Sequence, residues 1–90
     1  MYIGQFHNDK LDGKGVMQWP DGRKYDGEWQ MDNMHGLGSF TWADGRSYEG
    51  GWRNNQPHGT AKFTTASGEI KMGLWENGKK VKWHNTKDVN

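Results

Sequence analysis

An interval of 23 residues runs through this chain. Tyr2, Tyr25 and Tyr48 stand one interval apart, as do Gly4, Gly27, Gly50 and Gly73, and Phe6, Trp29, Trp52 and Trp75. Later in the interval come Gly13, Gly36 and Gly59, then Gly15, Gly38 and Ala61, then Met17, Phe40 and Phe63, then Trp19, Trp42 and Thr65, and last Gly22, Gly45 and Gly68. Of the 14 glycines, all but Gly51 and Gly78 fall on this grid, so glycine here serves backbone geometry. A fixed interval of this length marks a stacked array, in which each unit buries its apolar side against its neighbours. The units are 2–24, 25–47 and 48–70 with a partial fourth over 71–78. That gives an array over residues 1–78 followed by a polar, basic tail over 79–90.

Each unit reads as two strands. Tyr25-Asp-Gly-Glu-Trp29 and Gly36-Leu-Gly-Ser-Phe-Thr-Trp42 alternate with period two, and the aromatics do not fit helical spacing. Between units, Pro20-Asp21-Gly22 suits a type I turn followed by a glycine bulge, a three-residue loop. That loop pairs Trp19 with Arg23, Met17 with Tyr25, Gly15 with Gly27 and Gly13 with Trp29. With it every repeated aromatic lands on one face; a two-residue loop would split them between faces. Within a unit, a loop of four or six residues inside Gln30–His35 sets Tyr25 opposite Phe40, Gly27 opposite Gly38 and Trp29 opposite Gly36. The fold expected is all-β: an elongated single-layer antiparallel sheet of tandem hairpins, twisted and curled toward its aromatic face along a row of glycines. The other face carries Lys24, Asp26, Glu28, Ser39, Thr41, Ser47, Glu49, Lys62 and Thr64 and faces water.

Composition narrows the function. Hydrophobic residues make up only 31%, yet there are six Trp, three Tyr and three Phe; disordered chains are poor in aromatics, so the core is made of rings. The net charge of +1 gives no broad electrostatic footprint for nucleic acid. Without cysteine there is neither a disulfide framework nor a thiolate zinc site. The start, MYIGQFHNDK, lacks the basic and apolar runs of a secretory leader, and no segment is apolar enough to span a bilayer, so a cytoplasmic setting is expected. No hydrolase or P-loop motif is present. His35 and His58 read as turn histidines bonding locally, and His7 and His84 as incidental. No enzyme activity, cofactor or metal is expected.

The candidate sites are surfaces. Tyr25, Trp29, Phe40, Tyr48, Trp52 and Phe63 line an aromatic trough whose first role is to be the core. A single-layer sheet leaves part of such a face open, and open apolar patches mark interfaces. Trp19 and Trp42 form its rim beside Arg23 and Arg46, and a partner helix or extended peptide is the expected occupant. Ile70, Met72 and Leu74 make the last array strand apolar on its outer face too, an edge suited to self-association. Lys79, Lys80 and Lys82 around Trp83 offer an alternative, a patch for anionic phospholipid, although a solvated tail accounts for them as well.

YDGEWQMDNMHGLGSFTWADGR and YEGGWRNNQPHGTAKFTTASGE resemble the MORN repeat (membrane occupation and recognition nexus). The pattern is Tyr-x-Gly-x-Trp, an Asn-rich linker, His-Gly-x-Gly, an aromatic and a closing Asp-Gly. YIGQFHNDKLDGKGVMQWPDGR follows it with Phe6 for Trp and Asp12 for His, and KMGLWENG is a truncated unit. Ala61, Thr65, Ser67 and Lys71 depart from the pattern, all late in the array. The resemblance covers residues 2–78. It implies a non-enzymatic scaffold of the kind found in cytoskeletal, ciliary and membrane-junction assemblies. Because the array starts in register at Tyr2 and stops mid-unit, the chain is expected to be a piece of a longer array or a subunit whose ends others cap.

Overall fold

The computed structural model describes residues 1–84. Eight strands follow one another: β1 (Tyr2–His7), β2 (Lys10–Gln18), β3 (Lys24–Gln30), β4 (Asn33–Thr41), β5 (Ser47–Arg53), β6 (Gln56–Thr64), β7 (Ile70–Glu76) and β8 (Lys79–His84). They form one antiparallel sheet in sequence order, with β1 and β8 at its edges and no closure into a barrel. The body measures 48 × 23 × 19 Å, the elongated single layer that the repeat predicts.

The turns between units are as expected. The Trp19 amide donates to the Arg23 carbonyl at 3.0 Å and the Gly22 amide to the Trp19 carbonyl at 3.1 Å; Trp42, Gly45 and Arg46 repeat this, as do Thr65, Gly68 and Glu69. Gly22 has φ of 101°, a left-handed conformation that glycine adopts without cost. Across this side Met17 meets Tyr25, Gly15 meets Gly27 and Gly13 meets Trp29, and the next junction repeats the pattern.

The turns within units differ from the expectation. Tyr25 does oppose Phe40 and Gly27 opposes Gly38, but Trp29 opposes Met34, not Gly36. The loop is only two residues long. Met31 and Asp32 both have positive φ, as do Asn8–Asp9, Asn54–Asn55 and Asn77–Gly78, the mark of a type I′ hairpin. The surplus residues are taken up by a bulge between Gly27 and Trp29. There Gly36 turns to φ of 72°, and the Leu37 amide donates to the Glu28 carboxylate at 2.8 Å. In the first unit the Gln5 side chain accepts from the Lys14 amide in the same way.

Those turn tips also tie each unit to the one before. The Asp32 amide donates to the Leu11 carbonyl, and the Leu11 amide donates back to the Asp32 carboxylate at 2.7 Å. Asn55 and Met34 form the same reciprocal pair. At the last junction only the Gly78 amide to the Pro57 carbonyl remains, at 3.0 Å, because proline has no amide to give and glycine no side chain to receive it.

Residues 79–84, expected as the start of a tail, instead complete the fourth hairpin: β8 pairs with β7 along Met72–Glu76. Asn77-Gly78 suits the hairpin turn, and pairing covers an edge that β7 would otherwise leave open. Residues 85–90 of that expected tail lie outside the described residues.

Candidate functional site

The aromatic side of the sheet holds two systems of rings. The deeper one is a chain of edge-to-face contacts: Phe6, Tyr2, Trp29, Tyr25, Trp52, Tyr48, Trp75 and Trp83 follow each other at centroid distances of 4.9–5.6 Å. This is the arrangement that aromatic quadrupoles favour. Tyr25 and Tyr48 thus each touch the indole of their own unit and that of the next, and Tyr2 touches Phe6 and the Trp29 indole. Tyr25 and Tyr48 are fully buried, and Trp29, Trp52 and Trp75 nearly so. The Trp29 and Trp52 indoles donate across the unit boundary to the Gly15 and Gly38 carbonyls at 3.1 Å. Burial raises the Tyr48 phenol to about 12 and the Tyr25 phenol further, against the opposing pull of a backbone hydrogen bond.

The second system is a ribbon along the side of the between-unit turns. Trp19 lies 5.6 Å from Phe40, Phe40 lies 4.7 Å from Trp42, Trp42 lies 6.2 Å from Phe63 and Phe63 lies 5.9 Å from Trp83. Trp19, Trp42 and Phe63 are half-buried, packed against the core but open to the outside. The Arg23 guanidinium sits 5.2 Å from the Trp19 centroid and that of Arg46 sits 5.3 Å from Trp42. Asp21 and Asp44 anchor those guanidiniums at 2.8 Å. The Asp44 carboxyl is held below its ordinary value, first by the Arg46 amide and then by the Arg46 side chain.

The expected trough residues therefore part company. Tyr25, Trp29, Tyr48 and Trp52 are core, with Phe40 almost closed over. Trp19, Trp42 and Phe63 stay half-open. Ile70, Met72 and Leu74 do lie on the outer face, but β7 is not an edge strand: β8 covers it, with Met72 opposite His84 and Leu74 opposite Lys82. The basic run does not gather on one plane. Lys80 lies over the Trp83 ring, whereas Lys82 pairs with outer-face Leu74. His35 and His58 sit in strands beside the bulges rather than in turns, and the buried Nδ1 of His58 has no partner among the described residues. The sequence reading missed Trp83 as the last ring of the edge-to-face chain, where it packs on Trp75 and stays exposed. Its only signal was an aromatic where the earlier units carry Lys14, Leu37 and Thr60, in the unit where Lys71 replaces the repeat tyrosine.

Among the described residues, no three or more His, Cys, Asp or Glu are grouped to hold a metal ion. The sequence profile of the MORN repeat matches residues 2–22, 25–45 and 48–70. The chain belongs to the MORN-repeat family. The three matches begin at the three repeat tyrosines and end within the between-unit turns or just after them. MORN-repeat modules are structural and adaptor elements, often in cytoskeletal or membrane-associated settings. No curated protein sequence matches this MORN-repeat chain.

Proposed function

We propose that this MORN-repeat array is a scaffold module that holds a protein partner, a helix or an extended peptide, along the ribbon Trp19–Phe40–Trp42–Phe63, as a subunit of a cytoskeletal or membrane-associated assembly. One observation carries this reading. Trp19 and Trp42 are large rings left half-open in equivalent positions, each with a guanidinium on its face and an aspartate fixing that guanidinium. Rigid tryptophan beside arginine is the composition of interaction hot spots. The core does not need these rings to be open, since Tyr25 and Tyr48 are already sealed by their neighbours.

Selection of random displayed peptides on the purified chain tests it. Bound peptides are expected to shift the Trp19 and Trp42 indole resonances. Trp42→Ala is expected to weaken binding about tenfold or more, with the fold checked by circular dichroism. Peptides whose binding ignores both Trp19→Ala and Trp42→Ala refute the ribbon as the docking face. Trp52→Ala is unsuitable for this purpose, because that ring is core.

A further inference from the structure

The cations on the aromatic side fall into two kinds. Arg23 and Arg46 are each paired with an aspartate two residues earlier. Lys71 and Lys80 are different: both ammonium groups lie over the one Trp83 ring, 5.3 and 5.0 Å from its centroid. Neither makes a salt bridge among the described residues, where the ion pairs are Arg23–Asp21, Arg46–Asp44 and Lys62–Glu49.

Both lysines break the repeat in the same sense. Residue 71 holds the place of Tyr2, Tyr25 and Tyr48, and residue 80 holds the place of Leu11, Met34 and Pro57. Two positions that carry an aromatic and an apolar residue in three units thus become cationic in the fourth, and they converge. The indole they meet is brought there by a third departure. The β7–β8 bulge is one residue shorter than the others, so Trp83 pairs with Gly73 and Lys80 with Trp75. Trp83 then takes the end of the edge-to-face chain, 5.6 Å from Trp75, and is 38% exposed. It also touches Phe63, so this cationic end continues the ribbon.

Resting on the function proposed above, we infer that Lys71, Lys80 and Trp83 form a carboxylate-receiving end of the ribbon that sets the direction of the bound segment. The partner is a peptide with apolar side chains over Trp19, Trp42 and Phe63 and a cluster of Asp or Glu at the end over Trp83. Carboxylates of that acidic cluster gain charge-assisted hydrogen bonds from the Lys71 and Lys80 ammonium groups, which have no carboxylate partner among the described residues.

The test is peptide selection on the wild-type chain and on Lys71→Gln/Lys80→Gln, whose altered side chains lie outside the buried core. Wild-type binders are expected to carry acidic residues at one end only and to shift the Trp83 indole resonance. Replacing those acids by Gln or Asn is expected to weaken binding about tenfold to the wild type and less than twofold to the double variant. Binders that lie on Trp19 and Trp42 without an acidic end, or whose acids are dispensable, overturn this inference and leave the ribbon reading standing. A failure to select any ribbon binder removes both. Phosphatidylserine vesicles form the second arm: binding that depends on Lys71 and Lys80, without any preference among peptides, overturns the inference in favour of a lipid headgroup.

Discussion

The Tyr25 ring occupies the space that a Cβ on Gly38 would fill. The phenol then reaches past it to donate to the Glu28 carbonyl at 2.9 Å. The third unit shows how much this position can yield: Ala61 stands where Gly38 does, and Tyr48 still reaches the Gly51 carbonyl at 2.8 Å. Gly27, across the pair, has no such latitude, since a Cβ there meets the Gly38 Cα and the Leu37 carbonyl. Backbone cannot step aside as a ring can. Gly27→Ala is therefore expected to cost about 3 kcal/mol and Gly38→Ala about 1 kcal/mol, the two ends of the range for overpacking. Urea unfolding of the two variants measures this, and equal losses contradict it.

The sealed phenols make the fold sensitive to base. The folded state raises the Tyr48 phenol to about 12 and that of Tyr25 further, whereas in the unfolded chain tyrosine titrates near ~10. The folded chain therefore keeps protons that the unfolded one loses. Stability is fully present below the unfolded value and falls as pH rises from there toward the folded one. Tyr48→Phe is expected to lose about 1 kcal/mol at neutral pH with its hydrogen bond, yet to decline less steeply in base. Denaturation midpoints from neutral to alkaline pH read both effects, and parallel slopes for the two proteins exclude the assignment.

The last junction lacks one hydrogen bond for two reasons at once, Pro57 and Gly78. Restoring one half gives nothing to bond with. The double change Pro57→Met/Gly78→Asn rebuilds the Met34–Asn55 arrangement, and asparagine tolerates the φ of 83° at position 78. A coupling of about 1 kcal/mol is expected in the double-mutant cycle. Hydrogen exchange is expected to show β7 and β8 opening before β3 to β6 in the wild type, and less so in the double variant. Additive single changes argue against the tie.

The between-unit register was legible because Pro20 and the glycines leave one loop geometry that keeps all rings together. The within-unit register was not fully so. Asn8-Asp9, Asn54-Asn55 and Asn77-Gly78 point to a type I′ turn, but Met31 masks the pattern in the second unit. A bulge whose amide is satisfied by the Glu28 side chain leaves no trace in hydrophobic alternation. The candidate site was legible as a list of rings and not as a division of labour: Trp29 and Trp42 look alike in sequence, and only packing makes one core and the other surface. Trp83 lay hidden because β8 abandons the repeat just where it completes the ring chain.

Since each tyrosine leans on the next unit's indole, the units stack at a fixed step of two strands, about 9–10 Å. The array is in effect a graduated rule, with Trp19 and Trp42 as marks one division apart. Inserting or deleting a unit would move whatever is held at one mark relative to the next by a whole division, while the grip at each mark stays the same. In an array of this geometry the number of units sets distance, and the side chains at each mark set affinity.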